Sequence, residues 1–151
     1  MVTSAQAKAK FGDPYVSSNE AKFMTMWQLT PEMQSAFSHV TIFGTKGLKK
    51  IYCNIVTKPL LEKAFKNIID RKLTLEFKTY DGCHALRKKR GQSSLSLHCW
   101  GLPIDLNAST NAFGAKPTLS SAFVKCFTDV GFDWGGTWSK PDGMHFQPTQ
   151  L

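Results

Sequence analysis

Two ionisable residues lie in a stretch of sequence that otherwise has the composition of a buried core. The segment SLSLHCWGLPIDLN, residues 94–107, carries His98 and Asp105 among leucines, a tryptophan and an isoleucine. Burial of such groups is costly unless a partner satisfies them. Neutral imidazole and carboxylate are usual zinc ligands, and a catalytic zinc has three protein ligands and an open position for water. His98 and Asp105 are therefore candidate ligands that need a third.

The third candidate is His145, in the polar segment PDGMHFQ near the C-terminus. Asp142 precedes it by three residues, and a carboxylate close in sequence to a ligand can act on bound water as a general base, as in H-E-x-x-H. Structural interpretations remain open, since histidines beside apolar residues are more often hydrogen-bonded core residues. Asp142, which lies between Pro141 and Gly143, also fits a turn. The combination of residues favours a metal site.

The elements that must position these residues indicate an α+β fold. The segment TKPLLEKAFKNIIDRK has apolar residues at helical spacing and predicts a helix with Thr57 as its N-cap. The next segment, LTLEFKTY (73–80), alternates and predicts a half-buried strand. A second helix is predicted within 117–131, where Pro117 and Thr118 mark its start and Gly131 marks its end. The ligand segment itself is predicted as strand, turn and strand, in which Asp105 points away from its apolar neighbours.

Length and the absence of repeats predict one domain over residues 1–151, a small antiparallel sheet with helices. Residues 1–20 are polar, with Gly12 and Pro14, and are predicted to form an extended N-terminal arm. The four cysteines form no C-x-x-C pair, so we expect reduced, mostly buried thiols. No apolar run approaches the ~20 residues of a transmembrane segment.

The charge indicates an anionic partner without naming it. The chain has 19 Lys and Arg against 11 Asp and Glu, a formal charge of +8, which would steer it towards nucleic acid, an acidic polymer or an anionic envelope. The densest basic run, 87–90, lacks the interleaved aromatic residues of single-strand binders, so nucleic acid is not the expected partner. The first residues contain no apolar signal-peptide core, and we expect the product to stay in the cytoplasm until another agent releases it.

An ordered set of motifs resembles the M15 family of zinc peptidases, in particular the phage endolysin branch that cleaves the L-alanyl-D-glutamate bond of peptidoglycan. The set is S-x-H-x-x-G-x-x-x-D at 96–105, W-G-G-x-W at 134–138 and D-x-M-H-F at 142–146, with FKTYDGCHALRKKRG upstream. The resemblance implies a hedgehog/DD-peptidase-like fold. It also implies a zinc ion held by three side chains, those of His98, Asp105 and His145.

The same resemblance assigns roles to residues around the ligands. It implies that Asp142 is the catalytic base, that Arg87 stabilises the developing oxyanion or holds substrate, and that Ser96 contacts substrate. Arg90 remains an alternative to Arg87, because the arginine of the family motif can be aligned with either residue. Trp138 is a candidate for the substrate groove, although a tryptophan beside glycine is as often part of a core.

The expected function is that of a monomeric zinc peptidase that degrades peptidoglycan and lyses a phage host, with the anionic envelope as a further partner. Two alternatives stay open. One is a D-alanyl-D-alanine carboxypeptidase or dipeptidase of the same fold, which would differ in the bond it cleaves. The other is a basic nucleic-acid-binding module whose histidines and aspartates are structural, and which would keep its function in EDTA.

Overall fold

The computed structural model describes residues 1–151 as an α+β arrangement of five α-helices and eight short strands, which confirms the predicted fold class. The helices are α1 (Ser4–Phe11), α2 (Ser17–Phe23), α3 (Pro31–Ala36), α4 (Lys58–Asp70) and α5 (Ser121–Thr128). The strands are β1 (Met24–Gln28), β2 (Thr41–Ile42), β3 (Thr45–Lys46), β4 (Lys50–Asn54), β5 (Tyr80–Gly82), β6 (Ile104–Leu106), β7 (Phe132–Trp134) and β8 (His145–Pro148). Short 3-10 helices cover Thr74–Glu76, Leu97–Trp100, Ala108–Thr110 and Gly135–Thr137. None of the helices has the length and apolar character needed to cross a membrane.

A four-stranded antiparallel sheet in the order β5-β6-β8-β7 carries two of the candidate ligands. Asp105 on β6 lies directly opposite His145 on β8. Because opposite residues of antiparallel strands project to the same face, their side chains are neighbours. Ile104 and Leu106 are fully buried on the other face, which confirms the alternation predicted around Asp105.

The main hydrophobic core joins α4 and α5 to the buried face of this sheet. Phe127 of α5 stacks on Phe146 of β8 with ring centroids 4.3 Å apart. Phe65 of α4 packs edge-on against Phe77, at 5.6 Å between centroids. Closely packed aromatic rings bury large areas and resist displacement, so they fix the position of the sheet relative to the two helices. All four cysteines are free and buried, as predicted.

The helix predicted from residue 57 is confirmed as α4, with an apolar face buried in the core. Thr57 does not cap it with its side chain, because its hydroxyl donates to the carbonyl oxygen of Leu102 at 2.9 Å. The second helix, α5, begins later than predicted, since Ser120 is its N-cap and accepts from the N–H of Phe123 at 3.1 Å. Thr118 is instead bonded to Asn111. Local capping signals thus identified both helices and the N-cap position of α4, but misjudged the start of α5.

The strand predicted over residues 73–80 is wrong for most of its length. A 3-10 helix occupies Thr74–Glu76, and pairing begins only at β5. The ring Nε2 of His39 lies 2.9 Å and 3.0 Å from the carbonyl oxygens of Thr74 and Phe77. A tertiary contact therefore takes up carbonyls that a strand would have paired, which local alternation could not indicate.

The extended arm predicted for residues 1–20 is also wrong, because these residues form α1 and most of α2. Thr3 and Gln6 form a capping box at the start of α1. The indole N–H of Trp100 donates to the carbonyl oxygen of Gly12 at 2.9 Å, where the chain leaves α1. The N-terminal helices therefore pack behind the segment that carries His98.

Asn107 connects the end of β6 to the irregular segment before β5. It is buried and left-handed, with φ 52°. Its Oδ1 accepts from the N–H groups of Lys78 at 2.8 Å and Thr79 at 3.0 Å, and its Nδ2 donates to the carbonyl oxygen of Glu76 at 2.6 Å. One side chain thus satisfies three backbone groups of a segment that makes little regular pairing.

We expect Asn107→Ala to lower the free energy of unfolding by about 2 to 4 kcal/mol, because it leaves buried backbone groups unpaired and because alanine tolerates the left-handed conformation less well than asparagine. Asn107→Gly separates the two causes, since glycine accepts that conformation but makes no side-chain bonds. Urea denaturation of both variants measures the difference. If glycine restored most of the lost stability, backbone strain rather than hydrogen bonding would be the main contribution.

Candidate metal centre

His98 is carried by the 3-10 helix Leu97–Trp100, where a strand was predicted. Ser96 caps this turn, and its hydroxyl accepts from the N–H of His98 at 3.2 Å. Gly101 ends the turn with φ 62°, and a Cβ there would lie 2.5 Å from the side chain of Met24. Cys99 and its neighbours are buried against the N-terminal helices. A single tight turn therefore directs His98 to one side and its flanking residues into a core.

The three candidate ligands meet around the Asp105 carboxylate. His98 Nε2 lies 3.1 Å from Asp105 Oδ2, and His145 Nδ1 lies 3.1 Å from Asp105 Oδ1. One ligand atom from each residue lies within 4.8 Å of the other two. No side chain of the three is more than 13% exposed. The resulting group of two imidazoles and one carboxylate is a donor set suited to zinc.

Hydrogen bonds on the far side of each ring orient the two imidazoles. His98 Nδ1 lies 2.8 Å from the carbonyl oxygen of Cys83, and His145 Nε2 lies 3.0 Å from Oε1 of Gln147. Both partners are acceptors, and His145 Nδ1 also lies 3.1 Å from the acceptor Oδ1 of Asp105. When both imidazoles are neutral and donate to Cys83 and Gln147, the lone pairs are on His98 Nε2 and His145 Nδ1, which face Asp105. This is the tautomer arrangement that a metal ion requires of its histidine ligands.

The charges around Asp105 favour a bound cation. Burial alone would raise the pKa of Asp105, but His98 and His145 hold it well below its ordinary value, so the carboxylate stays ionised. Burial alone would lower the pKa of His145, but the Asp105 carboxylate raises it. His98 Nε2 is buried and makes no directed hydrogen bond despite its closeness to Asp105. An unpartnered lone pair facing an anion fits a metal ion bound between them.

Asp142 lies beside the ligands in the turn before β8. Its N–H donates to the carbonyl oxygen of Gly135 at 2.9 Å, and a Cβ on Gly135 would come within 2.6 Å of the Asp142 carbonyl oxygen. The glycine in W-G-G is thus needed for the close approach of this turn. Asp142 Oδ1 is buried without a partner, and burial raises the pKa of the carboxyl. A carboxyl with a raised pKa is suited to general base chemistry near neutral pH.

A cleft of about 520 Å³ opens over these side chains. Of the three motif tryptophans, only Trp138 lines it, with its ring centroid 5.3 Å from that of His145. Trp100 is buried in a core, and Trp134 donates to the carbonyl oxygen of Gly143. The cleft is lined by all the site residues that the sequence indicated, namely Arg87, Ser96, His98, Asp105, Trp138, Asp142 and His145.

Arg87 and Arg90 both line the cleft, but their surroundings differ. The Cys99 thiol lies 3.3 Å from the N and 3.1 Å from the carbonyl oxygen of Arg87. The N–H of Ser96 also donates to that carbonyl oxygen at 3.0 Å. Arg90 instead lies over the ring of Phe113. The backbone of Arg87 is therefore held by the two residues that flank the His98 turn, whereas Arg90 belongs to the rim.

Four residues that contact the site were not identified from the sequence. Gln147 follows His145 by two positions on β8. Because side chains two residues apart in a strand point to the same face, this spacing was a signal that Gln147 lies beside His145. Phe113 and Lys140 come from separate loops, and their meeting at the rim has no local signature. Cys83 contributes through its backbone carbonyl, which residue type does not reveal.

Residues 90–148 match the M15 peptidase family model described as D-alanyl-D-alanine carboxypeptidase. The matched range contains the three candidate ligands and Asp142 but not Arg87. No curated protein and no solved structure matches the chain. The match shows that this part of the chain is similar to M15 peptidases, and the His-Asp-His group within it could hold a metal ion.

We expect Gln147→Leu to weaken zinc binding about 10- to 100-fold, because His145 loses the acceptor that fixes its tautomer. His98→Ala, which removes a ligand, should weaken binding further. Gln34→Leu is the matched control, since Gln34 bonds only to the carbonyl oxygen of Leu29. Competition with a chromophoric chelator measures all three affinities. Unchanged binding in Gln147→Leu would contradict the proposed orientation of His145.

Proposed function

We propose that the protein is a zinc-dependent peptidase that hydrolyses a peptide bond in peptidoglycan stem peptides, specifically the L-alanyl-D-glutamate bond, and serves as a phage endolysin. The observation that carries this proposal is the convergence of two histidine ring nitrogens on Asp105, with the Asp142 carboxylate, whose buried Oδ1 has no partner, in the same cleft. The ordered motifs that resemble the endolysin branch support the particular bond.

His98, Asp105 and His145 would hold the zinc ion, which when bound lowers the pKa of a coordinated water to about 7 and polarises a carbonyl. Asp142 Oδ1 takes the proton from the attacking water and afterwards returns it to the leaving amine. Arg87 stabilises the negative charge that develops on the carbonyl oxygen of the scissile bond. Ser96 and Trp138, on the cleft wall, contact the peptide.

The charge of the cleft supports an anionic peptide substrate. Four cationic side chains line it, whereas its two carboxylates are those of Asp105 and Asp142; the cations are Arg87, Lys89, Arg90 and Lys140. Stem peptides carry free carboxylates, so this lining would attract them. The formal charge of +8 would likewise concentrate the enzyme on an anionic envelope, and activity should fall as salt rises.

In this role the enzyme acts as a monomer and remains in the host cytoplasm until another phage product opens the membrane. It then reaches peptidoglycan, its main partner. These parts of the proposal rest on the family resemblance.

The second candidate is a D-alanyl-D-alanine carboxypeptidase, which the description of the matching family model favours. The two activities share the metal chemistry and differ in the product. The carboxypeptidase would release free D-alanine, whereas the endolysin would expose a new amino group on glutamate. Identification of the freed ends from purified peptidoglycan therefore separates them.

Asp142→Asn should retain stoichiometric zinc and release no new amino groups from purified peptidoglycan, because the amide cannot accept the proton. Wild type should lose activity in EDTA and regain it when zinc is added. Asp70→Asn, at an exposed carboxylate on α4, is the control and should remain active. Full activity in Asp142→Asn would exclude Asp142 as the base.

If wild type bound no zinc and left peptidoglycan intact, the peptidase proposal would fail, and salt-dependent DNA binding would be assayed next.

Arg87→Gln should lower kcat about 100-fold with a smaller change in KM, since a charge that acts on the oxyanion contributes mainly in the transition state. Arg90→Gln should leave kcat nearly unchanged, because Arg90 lies over Phe113 at the rim. Steady-state kinetics on a soluble stem peptide compares the two variants. The opposite pattern, with the kcat loss in Arg90→Gln, would assign the oxyanion role to Arg90.

A further inference from the structure

Two cations from separate loops meet on one aromatic ring at the rim of the cleft. Lys140 Nζ lies 4.6 Å and Arg90 Cζ lies 5.4 Å from the centroid of the Phe113 ring. All three side chains line the cleft. The ring attracts each cation, but the two positive charges repel each other, and a bound anion would offset that repulsion.

The chain itself supplies no such anion. None of the six ion pairs in the structure includes Arg90 or Lys140. Of the two carboxylates in the cleft, Asp105 is occupied by the histidines, and Asp142 forms no ion pair with either cation. The charge of Arg90 and Lys140 is therefore available to a ligand.

The backbone brings the ring and the lysine together before any ligand binds. The N–H of Gly114 donates to the carbonyl oxygen of Pro141 at 2.6 Å, which joins the neighbours of Phe113 and Lys140. A Cβ on Gly114 would lie 3.3 Å from Lys140 Cε, so the lysine stem packs over this glycine. The fully buried Asn111 anchors the same loop, because its side-chain Nδ2 donates to the carbonyl oxygen of Asn107 and its Oδ1 accepts from the N–H of Thr118. Such support lowers the entropic cost of binding.

The chemistry of the two cations indicates a carboxylate. A guanidinium stacked on a ring keeps its N–H edges free for two parallel bonds to a carboxylate, and an ammonium adds a second charge. A peptidoglycan stem peptide offers two kinds of free carboxylate, namely the α-carboxylate of a D-glutamate linked through its side chain and the C-terminal carboxylate. Both present the same planar anion.

We propose that Arg90, Lys140 and Phe113 form a carboxylate subsite that binds the stem peptide away from the metal centre. This inference rests on the proposed function and deepens it, because it names the group of the substrate that the rim recognises. Arg90 and Lys140 contact the carboxylate directly, and Phe113 is a positioning residue that acts through them.

The test uses three soluble stem peptides, L-Ala-γ-D-Glu-L-Lys-D-Ala-D-Ala, its D-isoglutamine form and its C-terminal amide. KM and kcat are measured for wild type, Arg90→Gln, Lys140→Gln and Phe113→Leu. Lys116→Gln is the matched control, since it removes one positive charge from the Phe113 loop at an exposed position outside the cleft. Dissociation constants are also measured in the inactive Asp142→Asn background, where chemistry does not contribute.

We expect Arg90→Gln and Lys140→Gln each to raise KM and Kd about 10-fold for the unmodified peptide, with kcat within about twofold. Phe113→Leu should raise both constants about 3-fold, and Lys116→Gln should change neither. With one amidated peptide the effect of the two charge variants should disappear, and that peptide identifies the bound carboxylate.

Equal losses on all three peptides would overturn the proposal, because they would indicate general attraction rather than a subsite. Losses confined to kcat would overturn it as well. If wild type cleaves the peptides in a zinc-dependent manner but the variants are unchanged, the subsite fails while the proposed function stands. If wild type neither cleaves nor binds any of the peptides, the proposed function fails and the subsite with it.

Discussion

The structure depends on one buried carboxylate placed between two imidazoles. Asp105 is ionised although it is largely removed from water, and the only groups close enough to balance it are His98 and His145. Contacts with Cys83 and Gln147 orient the two rings so that His98 Nε2 and His145 Nδ1 face the carboxylate. A divalent cation held by the three side chains would replace the ring protons that otherwise link the histidines to Asp105.

Each ligand is held by a different kind of support. Cross-strand pairing places Asp105 and His145 on one face, and the phenylalanine core behind that face fixes the height of the sheet. His98 lies outside the sheet, on a turn capped by Ser96 and backed by the N-terminal helices. The same turn, through Cys99, holds the backbone of Arg87. The position of His98 and the backbone position of Arg87 therefore both depend on this one turn.

The cleft has opposite charges at its floor and its rim. Carboxylates and histidines lie at the floor, where burial raises the pKa of Asp142, whereas arginines and lysines line the remaining wall. In the proposed function, the rim would attract an anionic peptide, which would then meet the reactive groups at the floor. The basic side chains form no ion pair with Asp142, although the nearby charge of Arg90 opposes the rise in its pKa.

The sequence alone determined the fold class, the two longer core helices, the orientation of Asp105 and the residue types of the metal group. These features depend on local periodicity or on motifs whose order along the chain is specific. Only the tertiary structure decided that residues 73–80 are irregular, that residues 1–20 are helical supports, and that His98 lies on a 3-10 turn. It also decided that Gln147 contacts His145 and that Phe113 and Lys140 meet at the rim of the cleft. In each case the deciding contact joins residues far apart in the chain, such as His39 with Phe77 or Trp100 with Gly12, and a long-range hydrogen bond leaves no mark on local pattern.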